Sequence, residues 1–255
     1  MRLKIAIYTA MYAGKDKLRA PLEMSDDNID YFYFSDIEPD YDISPYQFIK
    51  RPILYDDLAK NARRLKILGD PLLESYDMVI WHDANMQMIE KGIKSLINRV
   101  KSHSLSIYTH PDRDDPYSEA MTCIRVKKES AILMLRQCWH YFLRGLPAHS
   151  GLYSTGLLVK VNLSNHKNFY NAWWQEVFKY SRRDQLALAY TSFKHNFTIN
   201  TIDGDIYNNP YLNYYDHNYL EYRTKNNKMK LESGWVRKLC FLGVKVLRKL
   251  SKLKR

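Results

Sequence analysis

The chain has 255 residues, 45% of them hydrophobic, which is enough to fill the core of one large α/β domain or two small ones. Its three cysteines, Cys123, Cys138 and Cys240, are widely spaced and form no CxxC pair, so neither a disulfide framework nor a zinc module is indicated, and a reducing compartment fits best. Of the net charge of +11, eight positive charges fall in residues 233–255, which contain no acid, so the first 232 residues carry only +3 and nucleic-acid binding is not favoured.

The amino-terminal part predicts two strands and a helix. Residues 3–9 are expected to form a strand and not a signal peptide, because a charge interrupts a short apolar run. Residues 30–35 are aromatic and apolar and predict a second strand. From Asp56 to Gly69, apolar residues recur every three or four positions, which predicts an amphipathic helix that ends at Gly69 and Pro71.

The later elements continue this alternation of strands and helices. We predict strands over residues 77–82, 105–109 and 152–161, and helices over 91–100, 118–142, 165–180 and 183–193. Such an order is typical of the α/β class, with a mostly parallel sheet covered on both faces. Residues 203–232 are polar, rich in tyrosine and irregular, and no run of about 18 apolar residues suggests a membrane span.

Polar residues follow three of the predicted strands, within residues 9–17, 82–85 and 110–119. Ligands of parallel α/β sheets bind beyond the carboxyl ends of the strands. Asp83 and Asn85 place two oxygen-bearing side chains there, which suits Mg²⁺ or Mn²⁺. Such an ion would neutralise the diphosphate that leaves when a nucleotide-activated sugar is transferred. The alternative is that Asp83 only forms a turn or caps a helix.

The cluster after the 105–109 strand contains a second pair of candidates. Arg113 offers a planar fork of donors, and with His110 it is a candidate for contacts to phosphate or sugar. The alternative is a solvated turn in which Arg113 pairs with the neighbouring acids Asp112, Asp114 and Asp115.

Seven short segments of the chain match a known family in the same order, and this shared order is more specific than any single motif. The segments are Tyr8-Thr9-Ala10, residues 30–36, Trp81-His82-Asp83-Ala84-Asn85, residues 110–117, Thr155-Gly156, Trp173-Trp174 and residues 181–185. With these segments the chain resembles the bacterial and plant glycosyltransferase-like family first catalogued as domain of unknown function 616. The segment from Asn61 to Asn85 also resembles family 8 glycosyltransferases. The resemblance implies a GT-A-like (Rossmann-like) fold, a divalent cation and a donor such as a UDP-sugar or GDP-sugar.

The resemblance also implies roles for individual residues. Nucleotide or phosphate contacts are implied for Tyr8, Thr9, Ala10 and Lys66. Asp83 and Asn85 stand where the family has an Asp-x-Asp metal motif. Because Asn85 brings no charge, metal affinity is expected to be lower or to depend on the bound diphosphate.

Further candidates lie later in the chain, at residues 173–174, 184–185 and 217. Asp184-Gln185 resembles an Asp-Gln pair near the transferred sugar, where Asp184 would be a sugar ligand or a base; the alternative is a helix-start residue. His217 is the candidate third metal ligand, and its alternative is a surface loop. We expect one of Trp173 and Trp174 to be buried and the other to lie on the surface, where it could stack on a sugar.

The carboxyl-terminal residues 233–255 predict a basic amphipathic helix. Its apolar stripe consists of Leu239, Leu242, Val246, Leu250 and Leu253, widened by Phe241 and Val244. We expect residues 1–232 to form the catalytic domain and this tail to bind an anionic membrane surface. The alternative is that the helix packs on the globular body.

The sequence therefore predicts a cytoplasmic glycosyltransferase, peripheral on the inner face of the membrane, with no nucleic-acid partner. Its acceptor would be a glycan or lipid-linked molecule of lipopolysaccharide, capsule or other cell-surface polysaccharide assembly. One alternative is a catalytically inactive GT-A scaffold. Another is a metal-dependent phosphoester hydrolase, although the sequence lacks the His-rich clusters typical of two-metal sites.

Overall fold

The computed structural model describes residues 3–14, 17–24, 28–215 and 232–253. These residues divide into two compact units. The first comprises the described residues within Met1–Tyr108, Thr155–Asn168 and Ile199–Asn226, and the second comprises those within Thr109–Ser154, Phe169–Thr198 and Asn227–Arg255.

The first unit is built on a seven-stranded sheet in the order β3-β2-β1-β4-β7-β6-β8. The strands are β1 (Ile5–Ala10), β2 (Ile29–Ser35), β3 (Gln47–Lys50), β4 (Met78–His82), β6 (Leu105–Thr109), β7 (Tyr153–Val161) and β8 (Asn200–Ile202). The β1–β2, β1–β4, β2–β3 and β6–β8 pairs are parallel, whereas β7 runs antiparallel to β4. This mostly parallel mixed sheet confirms the predicted α/β class and is consistent with a GT-A-like, Rossmann-type fold.

The central strands of this sheet are buried on both faces. Every residue of β1 and of β4 is buried, which explains why both were recognisable as continuous apolar runs. Helix α1 (Leu58–Leu68) begins after Asp57, whose carboxylate accepts a hydrogen bond from the Ala59 amide, and ends at Gly69. The unit also contains helix α2 (Glu90–Val100), short 3₁₀ turns at Pro71–Ser75 and Leu163–His166, and a two-stranded sheet of β5 (Met86–Met88) and β9 (Leu212–Tyr214).

The second unit is mainly helical. Its helices are α3 (Pro116–Arg125), α4 (Ala131–Leu143), α5 (Lys167–Lys179, from Phe169 on), α6 (Asp184–His195) and α7 (Gly234–Ser251). Side chains from α3, α4, α6 and α7 share one core, in which Tyr117, Met134, Tyr141, Tyr190 and Val244 are fully or almost fully buried. Trp173 and Trp174 are both buried, so the expectation that one of them lies on the surface is wrong.

The predicted single helix over residues 118–142 is also wrong, because α3 and α4 are separate helices. Lys127 adopts a left-handed backbone conformation with φ of 56°, and the Lys128 amide donates a hydrogen bond back to the Cys123 carbonyl. Ser130 then caps α4 by accepting a hydrogen bond from the Leu133 amide. Since lysine rarely takes the left-handed conformation, the sequence carried little sign of this break.

Helix α7 packs against α3 and α4 through the buried side chains of Cys240, Val244 and Leu247. The Arg237 guanidinium is buried beneath it and donates a hydrogen bond to a Glu232 carboxylate oxygen at 3.2 Å. None of the described helices is long and apolar enough to cross a membrane. The predicted boundary at residue 232, with a membrane-association tail beyond it, stays a prediction.

Candidate functional site

The loop after β4 is held in a tight, hydrogen-bonded turn at the carboxyl end of the strand. The Asp83 amide donates to the Gly156 carbonyl of β7 at 2.9 Å, and the Met86 amide donates to the Asp83 carbonyl at 2.8 Å. A Cβ atom on Gly156 would lie 2.3 Å from the Met86 Cε, so the glycine allows this close approach. The turn therefore presents Asp83 at the sheet edge where parallel α/β proteins bind ligands.

The Asp83 carboxylate is the exposed end of a buried charged network. Its Oδ1 accepts hydrogen bonds from Lys66 Nζ at 3.2 Å and from Trp81 Nε1 at 2.9 Å. The Asp83 side chain is 36% exposed, whereas that of Lys66 is only 4% exposed. Its other oxygen, Oδ2, accepts no hydrogen bond from any residue that the structure describes. One carboxylate oxygen is thus fixed by the protein and the other is available to a ligand.

A second lysine supports Lys66 from below. Lys160, which is fully buried on β7, donates hydrogen bonds to the Lys66 carbonyl, to the Ile67 carbonyl at 2.9 Å and to the Tyr8 hydroxyl at 3.2 Å. Burial lowers the pKa of Lys160 well below its usual range, and the nearby Lys66 cation acts in the same direction. The carbonyls are at the end of α1, where a helix leaves such groups unsatisfied. Lys160 therefore anchors the turn of α1 that carries Lys66, and the sequence did not predict this role.

The residues after β1 were predicted to contact the nucleotide. Tyr8 is fully buried, and its hydroxyl donates to the Lys66 carbonyl at 3.2 Å, so it also braces the end of α1. Thr9 is fully buried, and its Oγ1 has no hydrogen-bond partner in the described part of the chain. Ala10 is buried beside it at the end of the strand. The nucleotide contacts of Tyr8, Thr9 and Ala10 stay predictions.

Arg64 is a cation near this edge that the sequence interpretation left without a role. It is half-buried on α1, and it forms no hydrogen bond or ion pair with the residues that the structure describes. Its charge acts on the Tyr12 phenol, just after β1, although burial and Asp36 dominate there and raise the pKa of Tyr12 to about 12. Arg64 is therefore a positive charge near the loop that follows β1, without an ion-pair partner among the residues that the structure describes.

Asn85 is buried, and only half of its amide is satisfied. Its Nδ2 donates to the Tyr215 carbonyl at 2.7 Å, and the Tyr215 amide donates to the Asn85 carbonyl at 3.1 Å. Its Oδ1 has no hydrogen-bond partner among the described residues, which is unusual for a buried polar atom. His217, the predicted third metal ligand, lies outside the described residues.

These oxygens fit a divalent cation only in part. Asp83 Oδ2 and Asn85 Oδ1 are hard oxygen ligands of the kind that Mg²⁺ and Mn²⁺ prefer. However, they bring a single negative charge, and Lys66 already pairs with that carboxylate. An ion at this position would therefore need further negative oxygens from a ligand such as a diphosphate.

The second unit contains a separate group of possible metal ligands, Asp114, Asp115 and His149. Their polar atoms already have partners: Asp114 Oδ2 contacts His149 Nδ1 at 2.5 Å, and Asp115 Oδ2 accepts from Arg248 Nε at 2.8 Å. Asp115 also caps α3 by accepting from the Ser118 amide. The hydrogen bond from His149 lowers the pKa of Asp114. An ion pair network with an arginine at its centre accounts for this group.

His110 and Arg113, the candidate phosphate or sugar contacts, are indeed brought together. Arg113 Nη2 lies 2.8 Å from His110 Nε2, and Arg113 Nε lies 2.6 Å from Glu119 Oε2. Of the acids proposed as partners of Arg113 in a solvated turn, Asp112 is the one within ion-pair range, at 3.9 Å. The main partner is Glu119, one turn into α3, which the sequence interpretation missed. The ligand contacts of His110 and Arg113 stay predictions.

Asp184 and Gln185 begin α6 in the second unit. Asp184 is buried, and its carbonyl accepts a hydrogen bond from Trp173 Nε1 at 3.0 Å. The capping position is Arg183, which makes no side-chain capping bond, so Asp184 is the first residue inside the helix and not its cap. Gln185 is half-buried. Their contact with a sugar stays a prediction.

Comparison with known protein families adds one finding. The family model described as TOD1/MUCI70, glycosyltransferase-like domain matches residues 1–211. Every candidate residue except His217 lies inside the matched range, and α7 lies outside it. No curated protein matches the chain.

Proposed function

Since the chain belongs to the TOD1/MUCI70 glycosyltransferase-like domain family, we propose that it transfers a sugar from a nucleotide-diphosphate sugar to an acceptor hydroxyl. The family supports a glycosyltransferase-type function at this coarse level. We also propose that the donor is a hexose carried by UDP or GDP. We propose further that the chain is related to the domain of unknown function 616 family and to family 8 glycosyltransferases.

The observation that carries the proposal is the Asp83–Lys66 pair at the carboxyl end of β4. In sugar transfer, the bond between the sugar carbon and the diphosphate oxygen breaks, and the leaving diphosphate gains negative charge. A buried lysine 3.2 Å from an exposed carboxylate supplies a fixed positive charge at a position that a ligand could approach. Arg64 would add a second cation. Both act best when they are held in place before the ligand arrives, as Lys160 holds the turn of α1 that carries Lys66.

A divalent cation would be held by Asp83 and Asn85, with His217 as the proposed third ligand. When bound there, Mn²⁺ or Mg²⁺ would polarise the phosphoryl oxygens of the donor. Because the protein contributes little charge to this ion, we expect metal and nucleotide to bind together, each weakly on its own.

Asp184 and Gln185 are the proposed sugar contacts, with His110 and Arg113 as additional contacts to phosphate or sugar. The acceptor oxygen forms the new bond to the sugar carbon and loses its proton. That proton would pass to Asp184 in an inverting enzyme, whereas a retaining enzyme needs no such base and would use Asp184 to orient the sugar.

We further propose that the acceptor is a glycan or lipid-linked molecule of a cell-surface polysaccharide, and that the enzyme works at the inner, cytoplasmic face of the membrane. The basic carboxyl-terminal segment supports this location, because cytoplasmic leaflets carry anionic lipids.

Nucleotide release from a panel of UDP- and GDP-sugars, with Mn²⁺ or Mg²⁺, tests the function. We expect Asp83→Asn to lower turnover by on the order of 10²-fold, as the loss of one electrostatic contact to a reacting group does. Asp77→Asn is the matched control, because Asp77 directly precedes the same strand. Among the described residues, the Asp77 carboxylate accepts a hydrogen bond from the Lys4 amide at 2.8 Å, and the amide oxygen of asparagine can accept the same bond. Turnover that is equal in the Asp83 and Asp77 variants would contradict the proposal.

An inactive GT-A scaffold is the second candidate, supported by Asn85 in place of a metal-binding acid and by the lysine that already neutralises Asp83. Such a protein would show a donor-dependent rise in melting temperature without nucleotide release for any acceptor. A phosphoester hydrolase would instead cleave the donor at its phosphate and leave a sugar phosphate, which mass spectrometry distinguishes from a transferred sugar.

A further inference from the structure

Helix α7 has two apolar faces, and its packing uses only one of them. Cys240, Val244 and Leu247 point into the core of the second unit. On another side of the helix, about a third of a turn away, a second stripe is exposed over 45–81% of each residue: Trp235, Leu239, Leu242, Val246 and Leu250, continued by Leu253 just beyond the helix. Packing within the described chain therefore leaves this stripe uncovered. Exposed apolar residues that form a continuous stripe indicate an interaction surface.

The exposed stripe continues onto α4. Ile132, Trp139 and Leu143 are 48%, 52% and 61% exposed. Between the two helices runs a groove of about 750 Å³, lined mainly by apolar side chains that include Leu135 and Trp139 of α4 and Val246 and Leu250 of α7. Gly243 allows the helices to approach, because a Cβ there would lie 2.9 Å from Leu135 Cδ1. We call the stripe, these α4 residues and the groove the α4/α7 face.

The charged side chains that α4 and α7 themselves carry are all basic. Neither α4 nor α7 contains an acidic residue. The exposed basic side chains on these helices, or directly after their last residues, are Arg136, Arg144, Lys238, Lys245, Lys249 and Lys252. A second copy of the chain would bring the same charges against them, so self-association through this face is disfavoured. The complementary partner has to be both apolar and anionic.

We propose that the α4/α7 face docks on an anionic lipid bilayer, with its apolar stripe at the boundary between headgroups and acyl chains. The two exposed tryptophans, Trp139 and Trp235, suit this boundary, because their rings are apolar with one polar edge. The proposal rests on the membrane location proposed above but not on the transfer reaction. It differs from a free tail, since α7 is part of the core of the second unit and the bilayer contacts come from two helices.

Co-sedimentation with vesicles of equal parts phosphatidylglycerol and phosphatidylcholine tests the proposal on the full chain. The protein is expected to pellet at low salt and to remain in solution with pure phosphatidylcholine. Each Lys or Arg near an anionic surface strengthens binding roughly fivefold. Lys245→Gln with Lys249→Gln should therefore weaken binding by on the order of tenfold or more, whereas Lys91→Gln with Lys101→Gln, two exposed lysines at α2, should leave it unchanged.

The apolar contact is tested by Val246→Glu, with Ile37→Glu as a control of similar exposure, 57% against 55%. We expect loss of pelleting for the first variant alone, with unchanged melting temperatures. Tryptophan fluorescence measures the contribution of α4. The emission of the wild-type protein should shift to the blue when anionic vesicles are added, and the Trp139→Phe variant should show a smaller shift.

Four outcomes would overturn the proposal. They are absence of pelleting, equal binding to neutral vesicles, equal binding by the two lysine variants, and a concentration-dependent dimer in wild type that Val246→Glu abolishes. The lysine variants change only exposed side chains, so they decide the matter even if Val246→Glu does not fold. Vesicle binding requires no sugar donor, so its failure is distinguishable from a failure of the transferase assay.

Discussion

Acidification should destabilise the fold through His82, which directly precedes Asp83. The imidazole is fully buried, with Nε2 2.9 Å from the Tyr46 hydroxyl and Nδ1 3.1 Å from the Asp83 carbonyl oxygen. Burial lowers the pKa of His82 to about 4, from an ordinary value of 6.5. The unfolded chain therefore binds a proton at His82 between these two pH values and the folded chain does not. Stability from this residue is present above pH ~6.5 and is lost as the pH falls towards ~4.

The size of the effect follows from the shift. A difference of that size in pKa corresponds to about 3 kcal/mol in the free energy of unfolding. About 2 kcal/mol of this stability should be lost between pH ~7 and pH ~5. Urea unfolding at the two pH values measures this loss. His82→Gln can keep the hydrogen bond to Tyr46 but does not titrate, so wild type should lose about 2 kcal/mol more than this variant.

His103→Gln is the control, because His103 is exposed and should leave the loss as it is in wild type. All other titrating groups are shared by the three proteins and cancel in the comparison. An equal loss of stability for wild type and His82→Gln would refute the reasoning. So would a larger loss for the variant.

Two further predictions concern single residues. Asp184→Ala should lower turnover by on the order of 10²-fold. It should change the melting temperature little, because Asp184 is not the cap of α6. A lower melting temperature with unchanged turnover would favour a structural role at the helix start. Gly92→Ala should destabilise the fold by about 1–3 kcal/mol in urea unfolding, because its Cβ would lie 2.0 Å from the Pro210 carbonyl oxygen, which is backbone and cannot move aside cheaply. Stability equal to wild type would show that α2 can shift away from that loop.

The long, buried elements could be predicted from the sequence because they leave periodic signals. The strands predicted over residues 77–82 and 105–109 correspond to β4 and β6 within one residue, and the helix predicted over 91–100 corresponds to α2. The short strands β3, β5, β8 and β9 have three or four residues each, too few to show a period, and were not predicted. The break between α3 and α4 depends on one left-handed lysine, Lys127, a residue type with no preference for that conformation.

The candidate site was predictable only in outline. Asp83 was recognisable because a carboxylate follows a buried strand, and the family resemblance pointed to Lys66. The anchoring of that helix turn by Lys160 was not predictable, because Lys160 lies 94 residues further along the chain. Likewise, no local pattern indicates that Glu119 is the main partner of Arg113 or that Trp174 is buried.

The carboxyl-terminal helix shows most clearly what each level decides. The sequence by itself determined that residues 234–251 form an amphipathic helix with lysines and arginines and no acids. The sequence pattern grouped Val244 with the apolar stripe, and only the tertiary structure decided that Val244 faces the core. It also decided that Leu239, Leu242 and Val246 remain exposed, as does Trp139 of α4. The physical reason is that helical periodicity shows which side chains share a face, whereas the surface that covers each face is set by residues more than a hundred positions away.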